Sequence, residues 1–342
     1  MNEDLMKTML AAYGAATLSG IKDTIPDKEP RTYLYDLVAE YPERGGKGFR
    51  PGLCIAACKA FGGKQSDAMN SAICLELLHN AFLVHDDVED ESLIRRNRPT
   101  LHEANNRAIA INVGDAMQVL ALYPLHKNRE RLGDKVANAI YLEVRHLAIE
   151  SAEGQAIELG WRRDNVCDLQ ETDYLHMILK KTCWYTCIHP LRIGALIGTR
   201  GRVKPEIFDR FGYFMGTAFQ IQDDVLNLIA EQDAYGKEIC GDIIEGKRTL
   251  MLIHLLQNCS ADEHTFVKSF LSQPINTRSL DDARSILAMM YTYGSINHAK
   301  KTAQFLAGGA LKEFYSIFSR LPTSDDKTLI ENIVLYMINR TY

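Results

Sequence analysis

The sequence contains few prolines and little that favours β-strands. Only 10 of its 342 residues are proline, and none falls between residues 51 and 99, 124 and 190, or 205 and 274. Proline breaks helix interiors, so intervals of this length leave room for long helices. We find no sustained alternation of apolar and polar residues, which is the pattern of a half-buried strand. These two absences predict an all-α fold.

The sequence also lacks a basic excess, a signal peptide and any long apolar run. Lysine and arginine total 39 against 44 acidic residues, a net charge of −5, whereas domains that bind nucleic acids usually carry a basic excess. The N-terminal segment MNEDLMKTML contains acids where a signal peptide has a basic segment. No apolar run approaches the roughly 20 residues of a membrane helix. We therefore expect a cytoplasmic protein with no nucleic-acid partner and no membrane span.

Cysteine pairs at metal-binding spacing are absent. None of the eight cysteines belongs to a CxxC motif, and the nearest pairs, Cys54 with Cys58 and Cys183 with Cys187, are four residues apart. Residues four apart share one face of a helix, whereas a structural zinc site needs further Cys or His ligands. We interpret the cysteines as reduced thiols of the core, in a reducing compartment.

The stretches that break the helical pattern are short and turn-like. None is long or low in complexity, and no internal repeat of fixed period occurs. At about 150 residues per domain, the length suggests two domains. Short connections throughout make one helical domain over residues 1–342 the simpler prediction.

The most informative segment runs from Leu75 to His102, where an apolar helical stretch ends in acids and then bases. At 100° per residue, Asp86 and Asp90 fall on one helical face, with Asp87 beside them. Carboxylates this close repel each other unless cations lie between or beside them. A hard divalent ion such as Mg²⁺ suits that arrangement. Taken alone, the motif could equally be a solvated acidic helix end.

A second apolar segment, FGYFMGTAFQIQDDVLNL, also ends in acids. The same helical spacing puts Gln220, Asp223 and Asn227 near one face, with Asp224 adjacent. Two such helices are hard to explain as chance surface charge. They predict the facing walls of one metal-filled cleft.

Basic residues recur close to both acidic segments. Guanidinium groups can bind phosphate oxygens through two hydrogen bonds, and lysines act as point charges. Each base alone is an ordinary solvated side chain, but together with the paired acids they favour a diphosphate site. No P-loop motif is present. The bases are Lys47 and Arg50 in GGKGFRPG, Arg95 and Arg96 after the first acids, Lys180 and Lys181 before Thr182, and Lys237 and Lys247 in YGKEICGDIIEGKRTL.

At these residues the sequence resembles the trans-prenyltransferases, the isoprenyl diphosphate synthases that include farnesyl and geranylgeranyl diphosphate synthases. The motifs stand in the family order between Gly45 and Arg248: GGKGFRP, ELLHNAFLVHDDVEDESLIRRNRPT, GQAIEL, LKKT, FQIQDD, YGK and GDIIEGK. The resemblance implies a polyprenyl synthetase domain with the isoprenoid synthase fold, a helical bundle around a deep central cavity. It further implies a homodimeric, magnesium-dependent transferase of isoprenoid biosynthesis.

The resemblance also implies a role for individual residues. Asp86 and Asp90, supported by Asp87, would bind two Mg²⁺ ions on the allylic diphosphate, and Asp223 would hold a third. Contacts with the same diphosphate would come from Arg95, Lys181 and Lys237, and its site would be lined by Thr182, Gln220 and Lys247. Isopentenyl diphosphate would be held by Lys47, Arg50, His79 and Arg96.

Three positions depart from the pattern of the family. Gly48 stands where many members carry Arg or Lys, Asn97 replaces a glycine, and Asn227 replaces the last acid of the second motif. An amide oxygen is a weaker ligand for Mg²⁺ than a carboxylate. Whether Asn227 contributes to metal binding is left open by the sequence.

Product length and reaction type depend on finer features. Bulky residues before the first acid of the family's first motif form a floor for the growing tail. Phe82 here predicts a C15 to C20 product, with geranylgeranyl diphosphate favoured, and Ala81 should leave space beside it. The alternatives are a class I terpene synthase that cyclises a prenyl diphosphate, and a non-catalytic prenyltransferase subunit. The residues implied to bind isopentenyl diphosphate favour chain elongation over cyclisation. The intact first acidic motif argues against a non-catalytic subunit.

Overall fold

Long helices fill the intervals between the prolines. The computed structural model describes residues 3–229 and 240–339, and it confirms the prediction of an all-α fold. The α-helices are α1 (Glu3–Thr24), α2 (Asp36–Glu43), α3 (Phe49–Ala60), α4 (Gln65–Glu89), α5 (Leu101–Ala104), α6 (Arg107–Leu132), α7 (Asp134–Arg163), α8 (Glu171–Ile178), α9 (His189–Gly198), α10 (Asp209–Ile229), α11 (Gly241–Glu245), α12 (Leu250–Asn258), α13 (Ala261–Ser272), α14 (Leu280–Thr292), α15 (Ser295–Phe318) and α16 (Asp325–Asn339).

Shorter elements connect these helices. Arg31–Tyr35 and Leu179–Ile188 are π-helical, and Pro205–Phe208 and Ile275–Thr277 are 3₁₀-helical. Within the described residues, the only strands are β1 (Ile94–Arg95) and β2 (Arg98–Pro99), which pair antiparallel with Ile94 opposite Pro99. This small hairpin follows the first acidic motif and carries the bases that come after it.

Helix α4 runs through the centre of the fold and packs against α3 and α6. Ile73, Cys74 and Leu75 on it are all buried, and as consecutive residues they lie on different sides of the helix. Apolar residues surround the helix until its last turns, where Asp86 and its neighbours follow. The first acidic motif therefore lies at the end of a buried helix, inside the fold, rather than on a surface helix.

Residues 171–198 form one continuous helical segment whose middle is π-helical. A π-helix leaves an extra residue in each turn and is frequent at functional sites. Helix α7 reaches this segment at Gly154, where an added Cβ would lie 2.2 Å from the backbone nitrogen of Lys181. The absence of a side chain at Gly154 thus lets α7 approach closely and fixes the backbone that carries Lys181.

Helix α6 has an apolar outer face. Within the described residues, it is the one helix long and apolar enough to cross a membrane, and 39% of its apolar 18-residue stretch is buried inside the fold. Its inner side packs along α4. Large apolar side chains remain exposed on the outer side and on the adjacent α7, namely Ile111, Val119, Leu122, Tyr123, Tyr141, Leu142 and Ile149, and we call this surface the α6–α7 face.

Candidate active site

The ends of α4 and α10 and the middle of the π-helical segment meet around one polar cleft of about 770 Å³. The cleft brings together residues that lie far apart in the sequence and that were predicted to act together. Those lining it are Asp86, Asp90, Arg95, Lys181, Thr182, Gln220, Asp223 and Lys247.

Asp90 has a cation on each carboxylate oxygen. Its Oδ2 lies 2.8 Å from Nζ of Lys247, and its Oδ1 lies 2.5 Å from a guanidinium nitrogen of Arg162. Burial alone would raise the pKa of Asp90. The attraction of Lys247, Lys181 and Arg162 outweighs burial and holds this pKa well below its usual range.

Asp86 is less well compensated. Burial raises its pKa, and the repulsion from Asp90 adds to that effect. Lys181 opposes the rise from 3.8 Å away, but its Nζ lies closer to Glu158, at 2.8 Å. Asp86 is therefore a carboxylate that lacks a close cation of its own, and such a group gains from a bound metal ion.

The second acidic segment contributes further carboxyl groups to the cleft. Burial, together with repulsion from Asp242 and Asp223, raises the pKa of Asp224 to about 8. Asp224 accepts hydrogen bonds from the Tyr174 hydroxyl at 2.8 Å and from Gln220 at 2.7 Å. Asp223 and Asp242 also line the cleft. This wall of the cleft is therefore rich in carboxyl groups.

The chemistry of these donors fits Mg²⁺, which prefers carboxylate oxygens together with phosphate oxygens. Among the described residues, no three His, Cys, Asp or Glu groups converge into a ready-made metal site. The ion pairs of Asp90 explain part of this, because both of its oxygens point to cations. Metal binding at Asp90 would have to displace at least one of them.

Asp87 and Asn227 face away from the cleft. Asp87 is almost fully buried, and it accepts hydrogen bonds from the Tyr41 hydroxyl and from Nε of Arg95, at 2.6 Å for the latter. It therefore positions Arg95, which does line the cleft. The side-chain oxygen of Asn227 accepts the backbone N–H of Asp242 at 2.9 Å, which ties α10 to α11.

A second group of bases lies beside the cleft. Arg50 contacts Nε2 of His79 at 3.1 Å, donates to the Tyr185 hydroxyl at 2.9 Å and stacks over the Tyr185 ring at 4.4 Å. Burial and the charges of Arg50 and Arg96 lower the pKa of His79 well below its usual value. Nε of Arg50 and Nδ1 of His79 are buried without a hydrogen-bond partner. A group with unused donors and mutually repelling cations suits an anionic ligand.

The GGKGFRP loop surrounds this second group. The backbone of Gly46 lies against Arg96, because an added Cβ would be 2.8 Å from its guanidinium. Lys47 lies on a neighbouring apolar cavity of about 830 Å³, which Phe49 also lines. Gly48 has a φ of +59°, and a Cβ there would lie 2.9 Å from the Leu10 carbonyl oxygen. Helix α1 thus occupies the space that a basic side chain at position 48 would need.

Phe82 lines a cavity of about 920 Å³. Asp86 on the same helix also lines this cavity, as do residues of α6 and α7. The Phe82 ring meets the edge of the Tyr185 ring at a centroid distance of 5.5 Å. Ala81 does not contribute to this cavity, since it is fully buried in a separate apolar cluster with Tyr41 and Val84. The expected space beside Phe82 therefore does not come from Ala81.

Sequence reasoning did not single out several residues that shape the cleft. Glu158 and Arg162 lie one turn apart on α7, and Asp242 follows Gly241 in α11. Their signal in the sequence was weak, because single charged residues outside a paired motif are common on helix surfaces. Lys237, by contrast, was predicted but lies outside the described residues.

Comparison with known proteins yields consistent matches. A family model described as polyprenyl synthetase matches residues 31–290. The chain is 31% identical over 301 residues to a geranylgeranyl diphosphate synthase of Sulfolobus acidocaldarius, covering 88% of each chain. It is 31% identical over 264 residues to a short chain isoprenyl diphosphate synthase of Methanothermobacter thermautotrophicus, covering 77% of this chain and 79% of that one. The crystal structure of a geranylgeranyl pyrophosphate synthetase from Pyrococcus horikoshii is similar over 99% of both chains, with a TM-score of 0.85 and 27% identity.

Proposed function

The chain belongs to the polyprenyl synthetase family and is a prenyltransferase of the trans-prenyl diphosphate synthase type, and we propose that it condenses isopentenyl diphosphate with an allylic prenyl diphosphate. The observation that carries this proposal is the pairing of the acidic cleft with a separate group of bases. His79 and Asp86 lie two turns apart on α4, so the two groups are neighbours. A cyclase would need only the acidic cleft.

The acidic cleft takes the allylic diphosphate in this proposal. Asp86, Asp90 and Asp223 would hold three Mg²⁺ ions, which neutralise charge on the departing diphosphate when bound. Lys181 and Lys247 supply fixed positive charge to the same group, and by resemblance Lys237 does too. Asp87 acts indirectly by holding Arg95 toward the cleft.

The second group takes isopentenyl diphosphate. Arg50 and Arg96 bind its diphosphate, with Lys47 at the edge, and neutral His79 donates a hydrogen bond. Tyr185 contacts Arg50 and also lines the acidic cleft, so it lies between the two substrates. Its ring and apolar neighbours of the cleft exclude water from the allylic cation, which the double bond of isopentenyl diphosphate attacks.

Proton loss completes the condensation without a base from the protein. We assign the proton to the departing diphosphate, because His79 lies among cations that disfavour its protonation. The role of the protein is thus to hold both diphosphates and to supply fixed charge where negative charge develops.

The cavity beneath the cleft takes the growing tail. We propose a C15 to C20 product, with geranylgeranyl diphosphate favoured, because the Phe82 ring stands in this cavity one turn before Asp86. The ring of Tyr185, which lines the same cavity, packs against the Phe82 ring. The tail must therefore pass Phe82 before it can lengthen further.

We further propose a homodimer that buries the α6–α7 face, and a single domain over residues 1–342. Large exposed apolar patches mark protein interfaces. Both described ends of the chain, in α1 and α16, pack against α3, as expected for one domain. The eight free cysteines suit a reducing compartment, and the cytoplasmic location stays a prediction.

Incubation of the purified chain with isopentenyl diphosphate, Mg²⁺ and each of dimethylallyl, geranyl and farnesyl diphosphate tests the proposed function. We expect consumption of isopentenyl diphosphate and a prenyl diphosphate of 15 to 20 carbons on chromatographic sizing. A hydrocarbon formed without consumption of isopentenyl diphosphate would instead indicate a cyclase. No turnover with any starter would indicate a non-catalytic subunit.

A further inference from the structure

Arg162 lies next to the acidic cleft and binds one of the carboxylates that line it. It lies one turn beyond Glu158 on α7, and its guanidinium binds Oδ1 of Asp90. Both partners are largely removed from solvent, with side-chain exposures of 10% for Arg162 and 3% for Asp90. Arg162 itself does not line the cleft. Its ion pair with Asp90 is therefore its direct contact with the cleft.

The other oxygen of Asp90 is held by a lysine that has several acidic partners. Nζ of Lys247 lies 2.8 Å from Asp90, 2.6 Å from Glu245 and 3.7 Å from Asp242. A diphosphate in the cleft offers Lys247 another anionic partner. Its arrival would weaken the hold of Lys247 on Asp90, whereas Arg162 remains attached from the far side.

We propose that Arg162 is a positioning residue that makes metal binding at Asp90 depend on bound diphosphate. Without diphosphate, two cations satisfy the Asp90 carboxylate, and a metal ion must compete with both. With diphosphate, Lys247 is released and one oxygen becomes available while Arg162 keeps the carboxylate oriented. Coupling of this kind is reciprocal, so the metal also strengthens diphosphate binding. The inference rests on the proposed function of the cleft.

Titration calorimetry of the full chain with Mg²⁺ alone, and with Mg²⁺ at a fixed concentration of inorganic pyrophosphate, measures this coupling. The heat of forming the Mg²⁺–pyrophosphate complex is measured in a titration without protein and is subtracted from the titration with protein. In the wild type we expect pyrophosphate to tighten Mg²⁺ binding by about tenfold or more. In Arg162→Ala, Mg²⁺ alone should bind about tenfold more tightly, because the buried Asp90 carboxylate loses one of its two counterions.

Two further variants make this result specific. Arg162→Lys keeps the positive charge. It should therefore retain most of the coupling between Mg²⁺ and pyrophosphate binding that Arg162→Ala loses. Arg163→Ala is the matched control, because Arg163 is 79% exposed and pairs with Asp164 at the surface. It should bind Mg²⁺ as the wild type does. Thermal unfolding checks that each variant is folded.

Unchanged or weaker binding of Mg²⁺ alone to folded Arg162→Ala would overturn the inference. So would equal coupling in Arg162→Ala and the wild type. Neither result bears on the proposed function, which wild-type turnover with isopentenyl diphosphate tests separately. If the wild type shows no turnover while the coupling is found, the assignment of the reaction fails and the role of Arg162 in the cleft stands.

Discussion

Adjacent acids in the first motif do different work because consecutive helical residues point in different directions. Asp86 lines the cleft, whereas Asp87 turns away to Tyr41 and Arg95. The spacing in the sequence predicts that Asp86 and Asp90 share a face. It cannot reveal the partner of Asp87, since Tyr41 lies 46 residues earlier on another helix. The same limit hid the contact between Arg162 and Asp90.

Asn227 provides a test of a structural role at a position where the family usually has an acid. Asn227→Ala removes the acceptor of the buried Asp242 N–H, so the free energy of unfolding should fall by about 1–3 kcal/mol. Turnover should fall far less than in a variant of Asp86. Urea denaturation and steady-state kinetics measure the two effects. A loss of kcat as large as that of Asp86→Ala, with unchanged stability, would make Asn227 a metal ligand.

The two groups of bases should affect the two substrates differently. Arg96→Ala should raise KM for isopentenyl diphosphate by about tenfold or more, because a charge-assisted contact is lost. KM for the allylic substrate should change little. Lys181→Ala is the matched comparison and should have the reverse effect. Kinetics with each substrate varied in turn measure both constants, and equal effects on both substrates in both variants would contradict the assignment.

At the scale of elements, the sequence predicts the helices better than their ends and irregularities. The absence of proline indicated long helices, but one interval holds both a break at Gly133 and the loop after Arg163. Pro124 lies inside α6 and does not end it. The π-helix at Leu179–Ile188 depends on close packing against Gly154 and Gly216 of other helices. Such tertiary causes leave no periodic signal in the segment itself.

In the proposed function, the face that α4 turns to the cavity lined by Phe82 limits product length. Phe82→Ala deletes a ring that lines this cavity, and the vacated volume should allow at least one more C5 unit. Leu83→Ala is the control, because Leu83 packs against the separate cluster around Tyr41. Chromatographic sizing of products distinguishes the variants. An unchanged product from folded Phe82→Ala would mean that another element limits the tail.

At the scale of the whole molecule, the α6–α7 face is an exposed apolar surface that spans two helices. Val119 is 66% exposed on it, so Val119→Asp should leave the isolated chain folded but place a charge in the proposed dimer interface. We expect a shift from dimer to monomer by light scattering coupled to size exclusion. Phe305→Asp is the control, because Phe305 is 80% exposed on α15. Dimers of equal stability in both variants would contradict the proposed interface.

In the proposed function, the acids of the cleft are required for transfer of the allylic group to isopentenyl diphosphate. Single-turnover transfer of labelled isopentenyl diphosphate, measured in Asp86→Ala, tests this requirement most directly. The account predicts a loss of about a thousandfold or more in rate, since charge stabilisation of the departing diphosphate is removed. Asp164→Ala, which alters an exposed acid paired with Arg163, should transfer label at the wild-type rate. Near-normal transfer by folded Asp86→Ala would contradict the account.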